Sequence, residues 1–505
     1  MERVTDAPAP FESLVANAHD THVVVIGGGI AGLVAALECA KVGMPVTLLE
    51  AADELGGTIA SAEIEGVPVD LGTTCWSARG AAVEALVEEL GLGDRVVEPL
   101  TEQTWIAGLP KGAAAPVPAD SLLGIPANPW DESVRRIIGG RAVWRAYVDR
   151  LRPPLTIGAE RNLGKLVRAR MGDAVVDDLV APLTVGRFAL TPDEVDVAVA
   201  APGLNSALTR AGSLGGAVAD LLVDRADGPS VRSLESGMPQ LVAALSAKLT
   251  DLGARVVTGA PVASLVRADE RWHIERESGT DAAPGRAGDA DDPITVDPAD
   301  IVVVATGLRE ALRLLAPFVD DALAGTAVPR SVTLRDVVTL VVDAPALDAA
   351  PRGAEVYAVP GSHRASGVVH QTARWGWLAA AAGPGRHVLS VAFDGPAAAH
   401  PTTGLPDAEI AELARTEAAA LLGVPLEPAS VRGARRRAFE LAPPVSALGH
   451  GAVAESVRAA IAAQPGLAAV GAWMAGSGLA RVTADAVDQA DRARRSALWG
   501  GSART

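Results

Sequence analysis

Cysteine is almost missing from this chain: 505 residues contain two, Cys39 and Cys75. Two thiols build no disulfide framework, and a reducing compartment suits them. Lysine is nearly as scarce, with Lys41, Lys111, Lys165 and Lys248 the whole set, so almost every cation is an arginine. Acids exceed bases and leave a net charge of −17. Such a chain is a poor general nucleic-acid binder, and an anionic substrate must be met by local arginines rather than by the overall field. No apolar run reaches the ~20 residues of a membrane span without a charge, glycine or proline. The opening MERVTDAPAPFESLVANAHD lacks a basic region followed by an apolar run, so residues 1–20 read as a tail or an ordered lead-in and the expected location is the cytoplasm. No nucleophile, acid–base pair or metal-ligand cluster stands out. What remains is 49% hydrophobic and 21% charged, a globular composition long enough for two or three domains.

Residues 22–57, HVVVIGGGIAGLVAALECAKVGMPVTLLEAADELGG, organise the rest. His22–Ile26 is a β-branched run suited to a buried parallel strand. Gly27, Gly28, Gly29, Ile30, Ala31 and Gly32 follow as G-x-G-x-x-G, and a helix is predicted over Leu33–Val42. Gly27 permits the tight turn, Gly29 lets a pyrophosphate approach the backbone, and Gly32 lets the helix pack close to the strand. The helix N-terminus offers free N–H groups to phosphates. Pro45–Leu49 is a second strand ending on Glu50, placed to accept hydrogen bonds from ribose hydroxyls. Strand, turn, helix, strand and acid together predict a dinucleotide site.

Further elements follow in order. Ile59–Leu71 reads as a hairpin turning at Glu65-Gly66, and Ala81–Leu90 as a helix. Asp131–Leu151 is a basic helical stretch with Arg135, Arg136, Arg141, Arg145 and Arg150, read as a solvated face. Leu163–Leu183 is helical from about Asn162, with a turn over Gly186–Leu190. Arg255–Val257, Pro261–Leu265 and Asp300–Gly307 return to strand, with a flexible connection over residues 276–298. Arg335–Val342, Glu355–Pro360, His370–Leu378 and His387–Phe393 are expected in a second sheet. Pro406–Leu422 is a helix with Asp407 as its N-cap.

Several of these stretches resemble one family. Glu50-Ala51 followed by Gly56-Gly57 is similar to the E-A-x-x-x-x-G-G signature of FAD-binding oxidases and desaturases. Thr58 stands where that signature usually has Arg or Lys near the phosphates. Asp70–Trp76 resembles the segment that runs beneath the isoalloxazine ring, which implies that Gly72, Thr73, Thr74 and Cys75 lie against the flavin. Cys75 reads as a small buried thiol rather than a covalent attachment. Met171-Gly172, Pro182 and the Thr191–Asp196 stretch resemble porphyrinogen oxidases, as does Ser233–Val242. The piece TARWGWL, residues 372–378, resembles bacterial coproporphyrinogen oxidases. Ala438–Pro444 puts Phe439 in the family's aromatic place near the flavin, and Gly449-His450 follows. Ala469–Asp485 resembles the closing strand-turn-helix. There Gly476, Ser477, Gly478 and Leu479 aim a helix N-terminus at the flavin pyrimidine edge, where the dipole favours negative charge. Val262 is implied at the adenine end and Ala305 at a cofactor-edge turn.

The resemblance covers about residues 22–495 and is to the flavin-containing porphyrinogen oxidases, nearest their coproporphyrinogen III oxidases, within the wider amine oxidase and phytoene desaturase superfamily. It implies an α/β fold: a discontinuous Rossmann-like FAD domain (1–75, 232–310, 430–505), a mixed-sheet substrate domain (76–100, 175–231, 311–429) and a helical subdomain (101–174). It implies FAD as cofactor, coproporphyrinogen III as substrate and molecular oxygen as acceptor. Six electrons and six protons would leave in three hydride transfers to flavin N5, with hydrogen peroxide formed and coproporphyrin III made for heme synthesis. No second G-x-G-x-x-G follows a strand, which favours an oxidase over a nicotinamide-dependent reductase. Four propionates call for arginines around an apolar cavity, and Arg79, Arg187 and Arg374 are the candidates. The flavin carries the chemistry, so no protein residue is assigned as catalytic. His450 reads as structural. The next heme-pathway enzyme is a partner this allows, with at most peripheral membrane contact and no nucleic acid. The alternatives are a protoporphyrinogen oxidase, an amine oxidase or desaturase, and an inactive FAD-binding scaffold.

Overall fold

The computed structural model describes residues 10–152, 160–223, 228–276, 296–324, 333–442 and 446–499. Its centre is a five-stranded parallel sheet in the order Arg255–Val257, Val46–Leu49, Val23–Ile26, Ile301–Val304, Leu467–Ala469. The three central strands are buried along their whole length, because both faces are covered. Val23, Val25, Val46 and Leu48 face the layer that holds helices Ile30–Ala40, Pro239–Asp251 and Leu479–Trp499. Val24, Ile26, Leu49, Val302 and Val304 face the other, with helices Leu308–Ala324 and His450–Ala462. The predicted Rossmann-like unit is therefore present, assembled from three separate stretches of chain.

A second, seven-stranded sheet runs Val431–Leu441, Thr333–Asp343, Arg386–Pro396, Gly367–His370, Glu355–Ala358, Thr104–Leu109, Ala113–Pro116. It is mixed, since Glu355–Ala358 pairs in parallel with Thr104–Leu109 while its other ladders are antiparallel. Helix Asp407–Leu422 covers one face through Ile410, Ala414, Ala418 and Leu421. A third core joins helices Glu132–Tyr147, Leu163–Met171, Leu204–Ala211 and Leu214–Val223 with the π-turn Val176–Val180. Among the described residues no helix is long and apolar enough to cross a membrane.

Local departures from the sequence reading have physical causes. Residues 371–382 form two short helices, Gln371–Arg374 and Gly376–Ala382, rather than strand. The expected helix over Leu163–Leu183 breaks at Gly172, where φ is +96°, and resumes through a π-turn at Val176–Val180. The following helix runs on to Phe188, and the turn expected over Gly186–Leu190 is made at Ala189, in the left-handed region at φ +53°. Asp407 is the first helical residue and makes no cap bond. Val431–Leu441, grouped by sequence with the nucleotide domain, pairs with Thr333–Asp343 as the edge of the second sheet. Helix Ala81–Glu89, grouped with the substrate domain, buries Val83, Leu86 and Val87 in the parallel-sheet core. Most of the connection over 276–298 lies outside the described residues.

Candidate active site

The carboxyl ends of Val23–Ile26 and Val46–Leu49 open onto two glycine turns that face each other. Gly29 and Gly56 form an isolated parallel bridge, and the Gly56 N–H donates to the Gly28 carbonyl at 2.9 Å. A Cβ on Gly29 would meet nothing nearer than the Gly57 Cα at 4.0 Å, so the backbone here is open to a ligand. Gly32 has the opposite constraint: its Cβ would lie 1.9 Å from the Gly27 carbonyl oxygen, so the helix reaches the strand only without a side chain. Ile30 and Ala31 are buried in that helix, while Ala51, Gly57 and Thr58 are exposed beside the turn. Glu50 accepts from the Gly28 N–H at 2.5 Å and the Ala52 N–H at 2.8 Å.

Buried polar atoms without partners gather at the neighbouring strand ends. Thr306 Oγ1 follows Ile301–Val304 and the buried Ala305, and Trp473 Nε1 follows Leu467–Ala469. His450 Nε2 is also unpartnered. An unsatisfied buried donor or acceptor costs about 1–3 kcal/mol, and the oxygens of a dinucleotide would supply what these lack. Gly476, Ser477 and Gly478 lead into Leu479–Trp499, whose first turn closes with Arg481 and Val482 N–H groups on the Gly478 carbonyl. Val262 is buried, and its carbonyl accepts from Arg313 Nη2 at 2.5 Å. An open glycine cradle and orphaned polar atoms on the adjacent strand ends fit a flavin dinucleotide.

The hairpin Ser61–Ile64/Val67–Asp70 carries the chain from Thr58 to Gly72. The Thr73 N–H donates to the Thr58 carbonyl at 2.8 Å, and a Cβ on Gly72 would lie 2.8 Å from Phe439 Cζ. Thr58, Gly72, Thr73 and Phe439 are thus one contact group. Asp70 is buried with both oxygens 3.3 Å from the Met238 N–H. Burial pushes its carboxyl up to about 7, against that N–H. Ser233 Oγ donates to the Thr74 carbonyl at 2.7 Å. Burial also raises the Cys75 thiol, with Arg374 opposing, so the thiol stays protonated.

Two of the three candidate arginines converge. Arg374 Nη1 lies 2.7 Å from Glu355 Oε1, and Arg187 Nη2 lies 3.5 Å from Glu355 Oε2. Tyr357 donates to Glu355 Oε2 at 3.2 Å and Thr104 Oγ1 donates at 3.3 Å. Arg187 also stacks over the Tyr357 ring, 5.7 Å from its centroid. Burial would raise the Glu355 carboxyl, but Arg374 and Arg187 hold it below the ordinary range. Burial, then Glu355, push Tyr357 up to about 12. Burial works against the Arg187 charge, and Tyr357 and Glu355 outweigh it. Arg187 nevertheless keeps 41% side-chain exposure, against 8% for Arg374 and 13% for Glu355. Its guanidinium therefore reaches solvent beside the buried Arg374–Glu355 pair. Cys75 packs in one apolar cluster with Trp375, the residue after Arg374, so this charge cluster adjoins the segment carrying Gly72–Cys75. Arg79 is not part of the cluster: it is exposed, and its N–H donates to Ser77 Oγ at 3.4 Å.

The family model for flavin-containing amine oxidoreductases matches residues 30–494. The chain belongs to this family. Its flavin cofactor is FAD. Within the family, the chain is 27% identical to a coproporphyrinogen III oxidase from Propionibacterium freudenreichii subsp. freudenreichii, over 98% of this chain and 93% of that one. It is 28% identical to the coproporphyrinogen III oxidase of Mycobacterium tuberculosis H37Rv, over 90% and 93%. A crystal structure from Exiguobacterium sp. 255-15, assigned provisionally as a protoporphyrinogen oxidase, matches with TM-score 0.78 and 22% identity, covering 94% and 98% of the two chains. Putrescine oxidase matches with TM-score 0.59 and 17% identity, covering 95% and 99%.

For this flavoprotein the sequence pointed to the cradle but not to Glu355, Tyr357, Thr306 or Trp473. Glu355 and Tyr357 alternate with the buried Val356 on one interior strand, and a carboxylate at such a position is the signal that was there. A separate cleft of about 650 Å³ opens beside Ile301 and Leu467, at the amino-terminal edge of the parallel sheet, away from the carboxyl ends where flavin oxidoreductases bind ligands.

Proposed function

We propose that this flavoprotein oxidises coproporphyrinogen III to coproporphyrin III in heme synthesis, with molecular oxygen as final acceptor and hydrogen peroxide as by-product. The observation that carries the reading is a solvent-reaching Arg187 over the buried Arg374–Glu355 pair, beside the Gly72–Cys75 segment, in a chain similar over nearly its whole length to coproporphyrinogen III oxidases. When bound, FAD supplies the hydride acceptance and the protein supplies binding, orientation and electrostatics. Glu50 and the glycine turns hold the dinucleotide, in the way a Rossmann acid and its turn hold ribose and pyrophosphate. The N-terminus at Gly478–Leu479 presents N–H groups to the ring edge. Arg187 orients a substrate propionate by charge-assisted hydrogen bonds. The cytoplasm is the expected compartment, and the next enzyme of heme synthesis is a partner consistent with the product.

A protoporphyrinogen, with fewer carboxylates, is the second reading, and the near full-length similarity to coproporphyrinogen III oxidases favours the first. Purified protein with bound flavin should bleach when mixed anaerobically with coproporphyrinogen III. Porphyrin fluorescence should appear once air enters. Bleaching by protoporphyrinogen alone would shift the substrate. Bound flavin that neither compound bleaches would sink the proposal and leave an FAD-binding scaffold or an oxidase of amines.

A further inference from the structure

Glu355 is held from every side. It sits on the interior strand Glu355–Ala358, with Oε1 on Arg374 and Oε2 on Tyr357 and Thr104. Its neighbours are fixed in turn. Gly186 carries no Cβ, and one would lie 2.1 Å from Tyr357 Cδ1, so the helix bearing Arg187 rests directly on that ring. Arg335 clamps the same helix, with Nη2 donating to the Gly186 carbonyl at 2.9 Å while Nε and Nη2 bind Asp394 at 2.6 and 2.8 Å.

Three charges share this cluster: Arg187, Arg374 and Glu355. Arg374 is buried and tightly paired, while Arg187 is exposed to solvent and reaches Glu355 only at 3.5 Å. Buried charges must be compensated or they cost several kcal/mol. Two guanidiniums against one carboxylate leave one positive charge uncompensated, and it resides on the exposed arginine. A second substrate carboxylate brought to the same place would meet Glu355 as a like charge.

Building on the porphyrinogen reading above, we propose that Glu355 is a specificity-determining positioning residue. It neutralises Arg374 and leaves Arg187 to take a single substrate carboxylate. Arg374 is then scaffold rather than a propionate ligand.

The test is a titration of the holoprotein with coproporphyrin III, a tetracarboxylate porphyrin, followed by its absorbance, with flavin content measured alongside. R187Q should bind the porphyrin about 10–100-fold more weakly with flavin content unchanged, and R187K should recover part of the loss. The double variant R187Q/E355Q again leaves one uncompensated guanidinium, now Arg374, and should bind more tightly than R187Q. A double variant as weak as R187Q overturns the charge count, and R187Q binding like the parent overturns the site. If variants at Glu355 lose FAD, salt dependence decides instead: parental affinity should fall more steeply with ionic strength than that of R187Q, and equal slopes overturn the proposal. A parent that binds no porphyrin overturns the proposed function along with it. A parent that binds porphyrin beside an unaffected R187Q sinks this inference alone.

Discussion

Glu50 shows how one side chain can serve both fold and ligand. Its carboxylate accepts from the Gly28 and Ala52 N–H groups, which fixes the turn that faces the dinucleotide, and the same oxygens are placed for ribose hydroxyls. A Glu50→Gln variant replaces one acceptor oxygen by a donor and removes the charge. Hydrogen bonds to charged groups are worth about 1.5–3 kcal/mol, so FAD should dissociate about 10–100-fold more readily, measured as flavin fluorescence released on dialysis. FAD held as tightly as in the parent would mean that Glu50 serves the turn alone. Gly186 makes a contrasting residue-scale prediction. A methyl group there collides with the Tyr357 ring, so Gly186→Ala should weaken porphyrin binding while FAD stays bound. Joint loss of both ligands would point to general misfolding instead.

At the scale of elements, legibility followed covering. The strands Val23–Ile26 and Ile301–Val304 are buried on both faces, so they read as continuous β-branched runs whose starts lie one residue from those expected at His22 and Asp300. The segment 371–382 fooled the same reasoning, because its Trp375 and Leu378 are buried like strand residues while the chain is helical. The break at Gly172 was equally hidden, since it depends on a neighbour distant in sequence: a Cβ there would lie 2.8 Å from Arg145 Cγ. Arg145 also donates to the carbonyls of Arg168, Ala169 and Arg170 at 2.9–3.2 Å, which caps the helix Leu163–Met171. What sequence reads as a solvated basic face thus includes one arginine with a structural task. Asp149 is its acidic counterpart. Buried, it accepts from the Leu214 and Gly215 N–H groups at 2.5 and 3.2 Å and pairs with Arg170 Nε at 2.5 Å. Asp149→Ala would leave the Leu214 and Gly215 N–H groups without their acceptor and Arg170 without its carboxylate. A loss of about 3–5 kcal/mol is expected, read as faster hydrogen exchange in the helical core with the parallel sheet unaffected. Unchanged exchange in Leu214–Val223 would refute that role.

Over the whole molecule, pH should act through the second sheet before it acts through the first. His370 and His387 are buried together, with Nε2 of one 3.0 Å from Nδ1 of the other. Thr372 Oγ1 lies 3.1 Å from the same Nδ1, and Asp348 faces His387 Nε2 at 3.1 Å from a half-exposed position. Burial, then the neighbouring His387, drive the His370 pKa down to about 3, with Asp348 opposing weakly. Burial lowers His387 too, again against Asp348. An unfolded histidine titrates near ~6.5. Between that value and about 3 the unfolded chain therefore binds a proton at position 370 that the folded chain refuses. Stability from this group is full above ~6.5 and falls as the pH drops, with a loss of about 2–3 kcal/mol by pH 4.5. Asp70 runs the other way: its raised carboxyl gives stability that is full below ~3.9 and is lost as pH rises to about 7, so it opposes the histidine over most of the same window. Mutation separates the two, because His370→Gln removes only the contribution that weakens the fold as pH falls. His370→Gln should flatten the fall in melting temperature between pH 6.5 and 4.5 while leaving the slope between pH 7 and 8 as it was. An acid limb as steep as the parent's would show that the imidazole pair does not set the acid sensitivity. The response would then have to come from carboxylates that arginines hold below the ordinary range, such as Glu355.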